Sequence, residues 1–114
     1  MDTVEKLFKI QKDVLRTILN HDLFDIKASW AFDRSSFMIT YASKNSPVGY
    51  MVKIHTSAHT SGVRCFFAVM NCKSIEVEDI YDIYCLIEKS VTLSEENMCA
   101  ELKSFNILEG LDSE

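Results

Sequence analysis

The first nineteen residues carry an apolar stripe at helical spacing. Val4, Leu7, Phe8, Val14, Leu15 and Ile18 recur at i, i+3, i+4 and i+7, while Lys6, Lys9, Lys12, Asp13 and Arg16 fall on the opposite side. Asp2 followed by Glu5 has the form of a capping box, with both acids at the positive end of the helix dipole. Asn20-His21-Asp22 supplies a stop, since Asn tolerates the left-handed conformation.

The period then changes to two. Phe24, Ile26, Ala28, Trp30 and Phe32 alternate with Asp25, Lys27, Ser29, Ala31 and Asp33, which predicts a strand with one buried face and Trp30 turned inward with the others. The polar break Asp33-Arg34-Ser35-Ser36 returns the chain as a hairpin into a second strand, about Phe37 to Ala42. A third strand is expected from Val48 to His55 and a fourth from Val63 to about Asn71. Breaks this short suit an antiparallel meander and are too short for parallel crossovers.

After Cys72 the helical period returns. Val77, Ile80, Tyr81, Tyr84, Ile87 and Val91 share a stripe, although Ser74-Ile75-Glu76-Val77 also suits a short extended piece. Thr92-Leu93-Ser94-Glu95 resembles a second capping box, opening a last helix with Met98, Leu102 and Phe105 on one side. Residues 110–114 have the composition of a frayed acidic tail. The expectation is one α+β domain over residues 1–114: a four-stranded antiparallel meander covered on one side by an N-terminal helix and two C-terminal helices, in two layers.

Composition narrows the functional classes. The chain has 114 residues, 47% hydrophobic, with three Gly and one Pro, which suits a single packed core and excludes linker-rich or collagen-like designs. The longest wholly apolar run, Cys65 to Met70, is six residues, where a membrane-spanning helix needs about 20. The N-terminus shows no signal-peptide pattern, so a cytoplasmic location is expected. Cys65, Cys72, Cys85 and Cys99 are then expected as reduced, buried structural thiols, since no C-x-x-C pair is present.

Charge is uneven. Residues 1–23 are neutral, residues 24–73 carry a net +4 and residues 74–114 a net −9. An acidic C-terminal third repels phosphates and suits a basic protein partner. The bases of the middle (Lys27, Lys44, Lys53, Arg64, Lys73) are scattered, so nucleic acid is an unfavoured ligand.

Candidate chemistry is sparse. In His55-Thr56-Ser57-Ala58-His59-Thr60-Ser61, two histidines stand four apart. At a strand end and in a loop they lose the helical geometry that would put both on one metal. The string has none of the Glu of H-E-x-x-H, so no metal or cofactor is expected. Acid–base work by His55 with Asp33 or Glu76 is the enzymatic alternative, as a small hydrolase or phosphoesterase. An RNA-binding sheet using Trp30 or Phe66 as a stacking platform is the other.

The methionines carry more information. If Phe37, Ile39, Tyr41, Val48, Tyr50, Val52, Ile54, Cys65, Phe67 and Val69 face the helices, then Met38, Met51, Phe66 and Met70 face the other way. That is more apolar than the wet face of a one-sided sheet should be, and adaptable thioethers suit a protein contact surface. The leading expectation is a non-catalytic protein-binding module: an inhibitor, an immunity-type antidote or a chaperone-type adaptor. Its contacts would be Glu76, Glu78, Asp79 and Asp82 on an acidic helix face, Met38, Met51, Phe66 and Met70 on the sheet, or both. A homodimer would use the same apolar face.

Overall fold

The computed structural model describes residues 3–32, 35–44, 49–56, 62–70 and 74–112, and of these the side chains of 3, 4, 30–32 and 105–112 are outside the described set. The chain runs α1 (Thr3–Leu19), β1 (Phe24–Phe32), β2 (Ser36–Ser43), β3 (Gly49–Thr56), β4 (Val63–Val69), β5 (Ile75–Val77), α2 (Ile80–Thr92) and α3 (Glu95–Asp112). The strands form one antiparallel meander in the order β1-β2-β3-β4-β5. The expected α+β architecture with one N-terminal and two C-terminal helices is present, but the sheet has five strands and not four. The fifth is the short extended piece at Ile75. Phe67, Phe66 and Cys65 pair with Ile75, Glu76 and Val77, which buries Ile75 and Val77. Three residues are too few for a period of two to stand out from the helix that follows.

All three helices serve one side of the sheet. Leu7, Val14 and Ile18 of α1, Ile83, Leu86 and Ile87 of α2, and Met98 and Leu102 of α3 join a single core with Phe37, Ile39, Tyr41, Tyr50, Val52, Ile54, Cys65, Phe67 and Val69. The inner row is therefore the one anticipated, apart from Val48, which lies outside the described residues. α1 crosses β1, β2 and β3, while α2 and α3 lie over β4 and β5. The thinnest dimension, 19 Å, is one sheet plus one layer of helix.

The turn of α2 is set from the core. Tyr41 is fully buried, stacked on Tyr50 at 5.1 Å and edge-on to Phe24 at 4.9 Å. Its hydroxyl lies 2.9 Å from Ser90 Oγ, and Ser90 in turn donates to the carbonyl of Ile87. With Ser90's proton committed to Ile87, Tyr41 is the donor between them. Burial pushes the Tyr41 phenol far above its ordinary range. Ser90 thus points inward with Ile83, Leu86 and Ile87 of α2. The expected stripe through Tyr81 is displaced: Tyr81 is 72% exposed.

The helix starts also differ in detail. Asp79 caps α2, its Oδ1 accepting from the amides of Tyr81 and Asp82, and Asp82 Oδ2 accepts from the amide of Asp79. Ser94, not Thr92, caps α3 by accepting from the amide of Asn97 at 3.3 Å, because Leu93 closes α2. The α1 cap at Asp2 lies outside the described residues.

The cysteines do not behave as one class. Cys65 is buried, and burial together with the acids Asp79, Asp82 and Glu76 pushes its thiol up to about 11. Cys85 is free and exposed, because α2 turns its other face inward. Cys99 is disulfide-bonded, and Cys72 is outside the described residues. The expectation of four reduced, buried thiols therefore fails for Cys85 and Cys99. Disulfides persist mainly in oxidising compartments.

Among the described residues, Ser90→Ala removes the hydrogen-bond partner of the Tyr41 hydroxyl and should cost about 1–3 kcal/mol, the range for a stranded buried donor. Tyr41→Phe should cost less, since Ser90 keeps its bond to Ile87. The double variant should be no less stable than Ser90→Ala alone. Urea denaturation of the three variants checks the order.

Candidate functional site

The face opposite the helices is built by alternation. In β2, β3 and β4 the residues between the inner ones are Met38 and Thr40, then Met51, Lys53 and His55, then Arg64, Phe66 and Ala68. The register sets them in rows: Thr40, Met51 and Ala68 in one, and Met38, Lys53, Phe66 and Glu76 in the next. Met38, Thr40, Met51, Lys53, His55, Phe66 and Glu76 are all partly accessible to solvent, and Arg64 and Met70 are exposed. Met70 is 59% exposed and lies over Gly49, where a Cβ would come within 2.7 Å of its Cγ. Glycine at 49 thus lets a thioether lie flat across β3. Met38, Met51 and Phe66 share this face by register, and Met70, in the turn after β4, meets Gly49.

One strand departs from the expected pattern. The register of β1 shifts between Ile26 and Ala28, so Lys27 is an extra residue and the parity of the strand reverses beyond it. Ile26 pairs with Tyr41 on the inner side, whereas Ala28 pairs with Thr40 and Trp30 with Met38. Ser29 becomes the inner residue: it pairs with Ile39 and accepts a 3.1 Å hydrogen bond from Gln11 Nε2 of α1. The expectation that Trp30 stands in line with Phe24 and Ile26 is corrected at the level of register. Its side chain lies outside the described residues. A one-residue bulge leaves no mark in a run of alternating residues, and only the pairing with β2 reveals it.

The acidic set is not a helix face. Glu76 is on β5, where its two carboxylate oxygens accept from Arg64 Nη2 at 2.9 Å and Nε at 3.0 Å. Asp79 and Asp82 are the capping box of α2. Glu78 lies in the turn between and is exposed. Three of the four acids therefore have partners within the fold. The hydrogen bonds from Arg64 hold the Glu76 carboxyl below its usual range and outweigh its partial burial.

Around Phe66 the face is a closed polar–aromatic cluster. The Arg64 guanidinium lies over the Phe66 ring, 5.3 Å from its centroid, and His55 meets the ring edge-on at 5.4 Å. Partial burial lowers the His55 pKa, helped by repulsion from Lys53 and Arg64 and opposed by Glu76. Arg64, the cation best placed for a phosphate, is paired with a carboxylate and covers the ring a base would stack on. That arrangement disfavours nucleic-acid recognition at Phe66.

For acid–base chemistry, His59 and Asp33 lie outside the described residues, and Glu76 is engaged by Arg64. Among the described residues, no three of His, Cys, Asp and Glu gather within reach of one metal ion. Among the described residues, no helix is long and apolar enough to cross a membrane. Comparison with protein-family models, with curated proteins and with solved structures finds no match, so any reading of function rests on the geometry of the chain itself.

Because the His55 pKa is lowered on folding, the unfolded chain binds that proton more readily. Stability should fall as pH drops from the ordinary imidazole value of about 6.5 through the lowered folded value. The imidazole shifts of His55 followed by NMR should titrate below that ordinary value. His55→Gln should remove this part of the acid loss of stability. A His55 midpoint at or above the ordinary value contradicts the cluster as described.

Proposed function

We propose that this chain is a small, non-catalytic protein-binding module of the inhibitor, antidote or adaptor type. Its contact surface is the outer sheet face around Met38, Met51, Phe66 and Met70. The supporting observation is that the described parts of all three helices pack on the other side, while Met38, Met51 and Phe66 remain partly accessible to solvent and Met70 is exposed. Exposed apolar surface of this kind favours protein contact, and methionine adapts its shape to a partner.

The acidic residues carry less of the argument. Glu76, Asp79 and Asp82 are already engaged within the fold, and Glu78 is left as an exposed acid beside them. The sheet face itself presents Lys53, His55 and Arg64. A contact centred on this face therefore depends on apolar fit, with charge setting orientation at the rim.

Photo-crosslinking tests this reading. With p-benzoylphenylalanine in place of Met51, irradiation of the cells that make the protein should give one discrete adduct. The same probe in place of Lys103, exposed on α3, should not give it. Phe66→Asp should abolish the Met51 adduct while the circular dichroism of the variant is unchanged. Identical adducts from both positions, or an adduct insensitive to Phe66→Asp, would count against the outer face.

A further inference from the structure

The outer face carries one cation for which the described residues provide no counterion. Lys53 lies on β3, the central strand, and the register sets it between Met38 of β2 and Phe66 of β4. Glu76 follows Phe66 in the same row, but both of its carboxylate oxygens are taken by Arg64, at 2.9 and 3.0 Å. A guanidinium meets a carboxylate with two donors at once, which an ammonium cannot do. Among the described residues, Lys53 has no carboxylate within ion-pair reach.

Asp25 also stands on the outer side, because it pairs with Ala42. It is two strands across and four residues along from Lys53, which pairs with Met38. At ordinary strand spacings that is about 16 Å, well beyond the screening length of about 8 Å at physiological salt. His55, two residues along β3, reads the local field. The charges acting on it are Lys53 and Arg64, which lower its pKa, and Glu76, which raises it, with Lys53 the strongest of the three.

Residues directly opposite on one face of a sheet are side-chain neighbours, so Lys53 has an apolar residue on either hand. All of Met38, Met51, Lys53 and Phe66 are partly accessible to solvent. A partner that covers the three apolar residues covers Lys53 with them and withdraws water from its ammonium. Burying a charge without a counterion is strongly unfavourable. One cation among thioethers and a ring calls for one acid set among apolar residues, not for an acidic tract.

We propose that the protein partner of the outer face presents an aspartate or glutamate to Lys53, flanked by apolar side chains that lie on Met38, Met51 and Phe66. This rests on the outer-face reading and adds its specificity. Apolar contact supplies the area, and the central ion pair rejects a partner with a neutral or basic residue at that point.

The photo-adduct formed from p-benzoylphenylalanine at position 51 is the readout. Lys53→Met keeps the aliphatic stem without the charge and should lower the yield at least about tenfold, as when one member of a buried charge pair is lost. Lys53→Arg should keep most of the yield, and Lys53→Glu should abolish it. Mass spectrometry of the adduct should place an Asp or Glu of the partner within about four residues of the linked site, the reach of one helical turn or a strand alternation. Lys53→Met decides the matter should Lys53→Glu not fold. An adduct undiminished by Lys53→Met and Lys53→Glu, yet lost in Phe66→Asp, overturns the ion pair and leaves the outer-face contact standing. Loss in Lys53→Arg as great as in Lys53→Met, or a linked segment without an acid, also overturns the ion pair. Absence of any adduct from position 51 overturns both readings. A linked peptide from this chain itself assigns the face to a second copy and overturns the proposal.

Discussion

Everything distinctive about this molecule follows from burial on one side of a sheet. The inner row of Phe37, Ile39, Tyr41, Tyr50, Val52, Ile54, Cys65, Phe67 and Val69 is continuous across three strands. Its desolvation is the largest favourable contribution available to a chain of this size. The described parts of all three helices are drawn to that row, and the opposite face keeps apolar side chains that stay partly accessible to water. Within the core, the Tyr41 hydroxyl, Ser90 and the Ile87 carbonyl form one connected polar chain. A buried hydroxyl demands a partner, and Ser90 on the inward face of α2 supplies it.

The outer face is broad and carries a compact electrostatic cluster in which Arg64, Glu76, Phe66 and His55 satisfy one another. Its methionines offer adaptable contact without a demand for charge.

The acidic third of the chain shows how local structure redirects a compositional signal. Read as a helix face, Glu76, Glu78, Asp79 and Asp82 suggest a patch for a basic partner. In the fold the segment divides between a strand, a turn and a helix start, and each acid but Glu78 acquires a partner from that division. Net charge over forty residues says nothing about which carboxylates are free, because capping and ion pairing depend on where elements begin.

Periodicity alone determined the helix at the N-terminus, strands β1 to β4 close to their observed bounds, and the inner and outer rows of β2, β3 and β4. In each of these a repeat of 3.6 or 2 runs long enough to commit every side chain to one side. Tertiary structure decided the rest. The bulge at Lys27 reversed the second half of β1, and Ile75–Val77 became a strand only because β4 had an unpaired edge beside it. Burial of Ile83, Leu86 and Ile87 against the sheet, with Ser90 meeting Tyr41, turned α2 away from its apparent stripe and left Tyr81 and Cys85 outside. These outcomes depend on partners far away in the chain, and no local pattern of polar and apolar residues encodes the identity of a distant partner.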